Sequence, residues 1–305
     1  MLNLTRLRVL SEVINRGSFS AAADALDYTQ SAISQSIARL EAETGATLVV
    51  RDRRGVRATA AGATLLQHVD AIFGQVQAAE DDLAAVLGVR GGRLRIASFP
   101  SAGSTLIPQA VAAFRRLHPD VELSLGEGEP EAIAPRLRAG EFDLALLFEF
   151  PGEDQQSTGL DKTALIHDPM WVALPVDHKL ARKHNLALID LRDQDWVQTS
   201  PRSACARHVI SVCRSAGFEP RVSFESDDYD TVQGLVAAGV GVALIPRLAL
   251  SHRRPGLVVR RLAPENPVRS VFAATPRAPA VLPAAQEMLR ILSQRAHEFV
   301  ALGED

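Results

Sequence analysis

The sequence predicts an α/β multidomain chain: an N-terminal winged helix-turn-helix, a long linker helix, and a two-lobed α/β domain. Three observations predict it. Within the first sixty residues, three short helix patterns end in a basic β-turn-β unit. From Leu65 to Val86 apolar residues recur in steps of four and three. Beyond GVRGG at 88–92, strand and helix patterns alternate.

Residues 4–16 place apolar side chains at 4, 7, 10, 13 and 14, one helix face, and Gly17 ends the helix. Ser20 is the expected N-cap of the small-residue helix AAADAL. Thr29 caps the next helix, which Gly45 stops. In that helix Ile33, Ile37 and Leu40 face inward. Its outer face, with Ser31, Ser34, Gln35 and Ala38, is short-armed and nearly uncharged, although Glu, Lys and Arg would propagate a helix better than Ser. The β-rich TLVV, a turn at Gly55 and four arginines (Arg51, Arg53, Arg54, Arg57) within seven residues form the wing. Thr59 caps the long helix, whose Leu65, Val69, Ile72, Val76, Ala79, Leu83 and Val86 make an a/d seam. Twenty-eight such residues would span ~42 Å. The seam suits a dimer, the alternative being one helix of a globular core.

Charge is local rather than global. The net formal charge is -3, yet residues 1–60 hold eight Arg against six acids, while 61–88 hold four acids and no Lys or Arg. The N-terminus shows no long apolar run, and no membrane span is visible, so a soluble, intracellular protein is expected.

After the linker come RLRIAS, LIPQAVAAFRRLH, VELSLGE, AIAPRLRAG and FDLALLF, an α/β block with a largely parallel sheet. A second block starts near His167, and RLRAGEFDLALLF resembles GLVAAGVGVALIP. VRSVFAAT and the final helix return to the first lobe. The expected domains are 1–59, 60–88 and 89–305. The first lobe takes about 92–166 plus 269–305, the second about 167–268. Two such lobes enclose a cleft, and ligands bind at the carboxyl ends of the strands.

These residues carry a family resemblance. Gly17-Ser18-Phe19, Ala21-Ala22-Ala23, Leu26, Thr29-Gln30, Ile33-Ser34, Ile37, Leu40-Glu41, Gly45, Leu48, Arg51, Arg54, Thr59 and Gly62 closely resemble the DNA-binding domain of LysR-type transcriptional regulators. Phe142–Ala145 and Val236–Pro246 resemble the lobes of that family's periplasmic-binding-protein-like effector domain. Val50 departs from the family's usual Phe, and either residue is expected to pack under the wing; Ala58 stands where Leu is frequent. The resemblance implies a cytoplasmic regulator of promoter DNA, a dimer through the linker helix assembling into a tetramer, a small-molecule effector in the cleft, RNA polymerase as a further partner, and no membrane. It implies no cofactor and no catalysis.

The chemistry of the outer face then follows. A recognition helix sets its N-terminal residues against base edges in the major groove. Gln30 and Gln35 suit adenine, Ser31 and Ser34 serve several partners, and Ala38 suits a thymine methyl. Ser20 or Thr29 would bond phosphate, and Arg53 or Arg54 would meet DNA from the wing; the alternative for Arg51 is to tie the wing to the helices.

For the effector, the first strand ends at Ser98-Phe99-Pro100-Ser101, with a helix following from Ser104-Thr105; Thr199-Ser200-Pro201 repeats the arrangement in the second lobe. Other strand ends add Glu127, Glu129, Phe148, Glu149, Asp227 and Tyr229. So many acids disfavour a dianionic effector and suit an amine or hydroxylated ligand; the alternative is that they are solvated or cap helices. Cys205 and Cys213 raise a redox switch as a rival reading. One helix would hold them ~12 Å apart, beyond the ~7 Å a bridge spans, so two buried thiols are expected. An enzyme lacks support: there is no Gly-x-Ser-x-Gly, no Walker loop, and the eight His are scattered. A pure solute carrier would not begin with a DNA-binding module.

Overall fold

A computed structural model describes residues 2–52, 55–86, 92–152, 159–183, 185–277 and 282–301. The chain divides into two compact units, Met1–Leu87 with Ala139–Glu141, and Gly88–Arg138 with Phe142–Asp305.

In the first unit, Asn3 caps α1 (Leu4–Arg16) by accepting the Arg6 amide, and Gly17 ends it in the left-handed region at φ 62°. Helix α2 (Phe19–Leu26) starts two residues earlier than the expected cap allows. Ser18, with extended backbone, accepts the Ala21 amide, so Ser20 lies inside the first turn and only bonds the Ser18 hydroxyl at 2.9 Å. Thr29 caps α3 (Gln30–Thr44) through the Ala32 amide, and Gly45 closes it at φ 69°.

The wing is β1 (Val49–Asp52) paired antiparallel with β2 (Gly55–Ala58). Glu41 fastens it to α3 by accepting the Leu48 and Val49 amides at 2.7 and 3.3 Å. The register puts Arg51 opposite the buried Val56 and Val50 opposite Arg57. Val50 therefore faces outward, 44% exposed, rather than packing under the wing, because strand alternation gives the inner face to its neighbours.

Thr59 caps α4 (Ala60–Val86) through the Gly62 amide. Leu65, Val69 and Ile72 of the seam pack into this unit's own core beside Leu7, Leu10, Ile33 and Ile37. The first half of the seam is thus spent inside the domain. Val76 and Ala79 continue the rhythm, and the side chains of Leu83 and Val86 lie outside the described residues.

The second unit opens with β3 (Arg93–Ser98), the short α5 (Pro100–Gly103), α6 (Leu106–Leu117), β4 (Glu122–Glu127), α7 (Pro130–Arg138) and β5 (Leu144–Glu149). Then β6 (Leu160–Pro175) runs for 16 residues. After two 3-10 turns come β7 (Asp195–Gln198), α8 (Ala204–Ser215), β8 (Arg221–Glu225), α9 (Tyr229–Ala237) and β9 (Ala243–Pro246). A turn at Arg247–Leu250, β10 (Leu257–Arg260), β11 (Val268–Pro276) and α10 (Pro283–Ala301) complete it.

The sheet is mixed, not largely parallel. β3 pairs parallel with β4 and β5, but β11 lies antiparallel between β5 and β6. The first half of β6 pairs β11, and its second half pairs β9 and β10. β6 therefore belongs to both lobes, and the expected boundary at 166/167 falls inside it. The register of β6 and β11 shifts between Val271 and Phe272, leaving Leu165 as the extra residue of a bulge. The two similar segments share a device: Gly140 and Gly239, each following a helix end, adopt φ of 76° and 81° before β5 and β9.

Candidate functional site

In the first unit, the face of α3 is set by its core contacts. Ile33, Ile37 and Leu40 are fully buried. That leaves Gln30, Ser31, Gln35 and Ala38 exposed and Ser34 half-buried along one side. The Thr29 hydroxyl contacts that of Ser31 at 3.0 Å, so the helix start already presents two hydroxyls together. Ser20 is exposed on α2. Arg53 and Arg54 lie outside the described residues. The Arg51 guanidinium sits 3.9 Å from the centre of the Phe19 ring, a cation–π contact that ties the wing to α2. What the surface offers is a close-approaching row of hydroxyls and amides without bulky charge.

In the second unit, the strand ends converge on a buried cation. Arg269 on β11 stands directly opposite Asp168 on β6 in the ladder, which turns both side chains to one face. They are 1% and 0% exposed and bond at 2.8 and 2.9 Å. Asp168 also accepts the Leu248 amide at 3.0 Å. Arg269 donates to the Ser101 hydroxyl at 2.7 Å and to the Cys205 sulfur at 3.7 Å. Its guanidinium lies 4.9 and 4.5 Å from the ring centres of Phe99 and Phe148, which meet edge to face. Burial pushes the Asp168 carboxyl up, and Arg269 pulls against it. Burial would lower Arg269, yet Asp168, with Cys205 and Tyr229, outweighs it, so the guanidinium stays charged.

Four of the expected residues, Phe99, Ser101, Phe148 and Cys205, thus touch one group that was not expected. An Arg within the apolar run VRSVFAAT was the available signal, since a buried strand accepts a charge only when it is paired. Tyr229 opens α9 beside Cys205, with its hydroxyl buried. Ser98 is buried and turned back on the Phe99 carbonyl, and Pro100 begins α5. Thr199 bonds Ser203 at 2.6 Å. Ser200 gives its amide to Asp227 at 2.8 Å, so that acid fastens a loop. Pro201 and Glu127 are exposed. Glu149 is not gathered with the rest: it alternates with Phe148 along β5 and pairs with Lys162 at 2.8 Å.

Glu129 precedes α7, where its carbonyl accepts the Ala132 and Ile133 amides. Burial raises its carboxyl to about 7; Arg269 opposes the rise, and Glu131, Asp227 and Glu127 add to it. Two contacts join the lobes nearby: Arg207 on α8 bonds Glu131 on α7 at 2.6 Å, and His208 stacks on Phe150 at 3.8 Å. Both cysteines are buried in α8, and burial pushes Cys205 to about 11 and Cys213 to about 12. Such thiols carry little thiolate, which a redox switch requires. Among the described residues no group of three or more His, Cys, Asp or Glu could hold a metal ion, and no helix is long and apolar enough to cross a membrane.

Comparison with known proteins places both units. Residues 4–63 match the lysR family of bacterial regulatory helix-turn-helix proteins, and residues 88–297 match the LysR substrate binding domain. The chain is 33% identical to the probable regulator LrrA of Synechococcus elongatus, over 99% of this chain and 100% of that one. It is 32% identical to the transcriptional dual regulator GltC of Bacillus subtilis over 85% of each. Full-length CbnR, solved with its target DNA, superposes with a TM-score of 0.70 at 21% identity, covering 96% of this chain and 100% of that one. Two matched domains in the expected order, and relatives spanning the whole length, make this chain a member of the LysR family of transcriptional regulators, with a helix-turn-helix for DNA and a second domain for a small-molecule effector.

Proposed function

We propose that α3 reads promoter DNA through Gln30, Ser31, Ser34 and Gln35, with Ser20 and Thr29 on phosphate and Arg53 and Arg54 at the wing. The observation that carries this is the exposed, short-armed polar row of α3, backed by a fully buried apolar face. Gln can bond adenine at two atoms, and small neighbours let the helix approach the groove. CbnR, whose fold this chain shares, is solved with its target DNA. The working domains are 1–59 for DNA, 60–88 for self-association and 89–305 for the effector, in a cytoplasmic dimer or tetramer that binds its effector without turning it over. The later seam, from Val76 onward, carries the self-association, since its earlier positions are already packed. The effector enters between the lobes, against Ser98 to Ser101, Thr199 to Pro201, Phe148 and Tyr229.

The test is fluorescence anisotropy on DNA upstream of the protein's own gene, with unrelated DNA as control. Wild type and Gln35→Ala are compared at two salt concentrations. Loss of about 1–3 kcal/mol in the variant, for the specific DNA alone, supports the recognition helix. Wild-type affinity should fall steeply with salt, as phosphate contacts release counterions. Wild-type protein that binds no DNA at low salt sinks the reading.

A further inference from the structure

The wing does not hold its own place. It is a ribbon of two four-residue strands, and a lone two-stranded ribbon is marginal in water. Its position comes from ties to the helices. The second strand gives the Val56 amide to the Gly17 carbonyl at 2.8 Å. Gly55 lies against that same oxygen so closely that a Cβ there would come within 2.7 Å of it. Arg51 of the first strand lies over Phe19. These ties all run to the corner between α1 and α2. The tie to α3 is different: one Glu41 carboxylate oxygen accepts the amides of both Leu48 and Val49, at the root of β1.

Glu41 is badly placed for its own helix. α3 ends at Thr44, with no basic residue in its last turn. A carboxylate there faces the negative end of the helix dipole, which costs stability. The two bonds to the wing offset that cost, since an ionised acceptor makes stronger bonds than a neutral one. The carboxylate is half-buried and Leu48 is 1% exposed, so water competes little for these amides. Arg51 and Val56 form the inner face of the wing, while Val50 and the exposed Arg57 stand opposite each other on the outer face. The direction of that outer face, relative to the polar row of α3, is set where the chain returns from α3, at Leu48 and Val49.

We propose that Glu41 is a positioning residue for DNA binding: by holding the root of the wing to α3, it lets the wing meet phosphate while α3 lies in the groove. This rests on the reading of α3 and the wing as the DNA surface, and adds to it a residue that acts without touching DNA. The sign of the effect separates it from simple charge. Removing a carboxylate from a DNA-binding unit should by itself tighten binding to a polyanion. Removing Glu41 should weaken binding, because contacts between wing and phosphate are lost.

Fluorescence anisotropy of the full chain tests it, on the upstream DNA and on unrelated DNA across a salt series. Each phosphate contact steepens the fall of log affinity with log salt by about 0.9. Glu41→Ala should lose about one or two contacts, so its deficit against wild type should shrink about three- to twelve-fold between ~50 and ~200 mM salt. Its preference for upstream over unrelated DNA should hold, because the row on α3 is untouched. Glu41→Met, as long as Glu but unable to accept the amides, should match Glu41→Ala and carries the test if the shorter variant unfolds. Glu41→Gln keeps an oxygen acceptor and should keep most of the slope. Asp24→Asn removes an exposed acid of α2 and should bind no more weakly than wild type. A merely structural loss would lower the active fraction, read by stoichiometric titration, and leave the slope alone. The proposal is overturned if Glu41→Ala and Glu41→Met keep the wild-type slope, or if Glu41→Gln loses as much slope as they do. It is overturned equally if they lose sequence preference instead of slope. The double variant Arg53→Gln/Arg54→Gln controls for the reading beneath. A wild-type slope there rejects the wing as a DNA contact, and Glu41 with it; a reduced slope there, with none lost in Glu41→Ala, rejects Glu41 alone.

Discussion

Glu129→Gln should make the protein more stable at alkaline pH, because the folded chain holds this carboxyl in a site that disfavours its charge. In the folded state the carboxyl is pushed up to about 7 from its ordinary 4.5, chiefly because burial penalises its charge. Below pH 4.5 it is protonated in both states and contributes no difference. Between 4.5 and about 7 the unfolded chain releases the proton and the folded chain holds it, so folding loses stability as pH rises. At 1.36 kcal/mol per pH unit the full span amounts to about 3 kcal/mol, reached by about pH 8. Glutamine keeps the shape and carries no charge, so the variant should match wild type near pH 4 and exceed it by about 2–3 kcal/mol near pH 8. Urea titrations followed by tryptophan emission report on the second unit, where both tryptophans lie. A difference that does not change between those two pH values would mean that Glu129 is ordinarily solvated, and the argument from its burial would fail.

Arg269→Met should cost about 3–5 kcal/mol in the same assay, because it leaves Asp168 buried with only the Leu248 amide; a loss below about 1 kcal/mol would show that water already solvates the pair. His208 titrates near 4 rather than 6.5 because burial opposes its charge. The unfolded imidazole binds its proton first, so stability should fall as pH drops from about 6.5 to about 4, by about 1–2 kcal/mol after allowance for partial exposure. His208→Phe should flatten that part of the stability–pH curve. Gly62→Ala should destabilise the first unit by about 1–3 kcal/mol or more, read by far-ultraviolet circular dichroism, because its methyl would fall on the Leu48 carbonyl oxygen. Wild-type stability in that variant would mean that α4 can shift away from the wing without loss.

The helices of the first unit were legible because their signals are local. Thr29, Gly45, Gly17 and Thr59 act on residues within one turn of themselves, and each sits where its chemistry suggests. Ser18 and Ser20 show the limit of that legibility, since either could cap α2 and only the backbone conformation at Ser18 decides. The long seam was legible only in part, for a different reason. An a/d rhythm records that a helix has an apolar side, not which partner covers it, and here Leu65, Val69 and Ile72 meet their own domain. At the cleft, Phe99, Ser101, Phe148 and Tyr229 were legible as strand and helix ends. Their centre was not, because Asp168 and Arg269 are 101 positions apart and meet only through the register of two strands. Glu149 was misplaced by the same alternation, which a strand-end argument does not resolve.

The place of β11 has a consequence for how the chain is made. It is the strand between β5 and β6, yet it follows them far along the chain and so leaves the ribosome well after both, and it carries Arg269. Until residues 268–276 emerge, β5 and the first half of β6 have no β11 to pair with, and Asp168 has no guanidinium. The first unit is complete in sequence long before this, apart from Ala139–Glu141. A nascent chain therefore presents a folded DNA-binding unit while the second unit still lacks its central strand, and a message truncated before residue 268 yields unpaired strand edges, the kind of surface that invites aggregation.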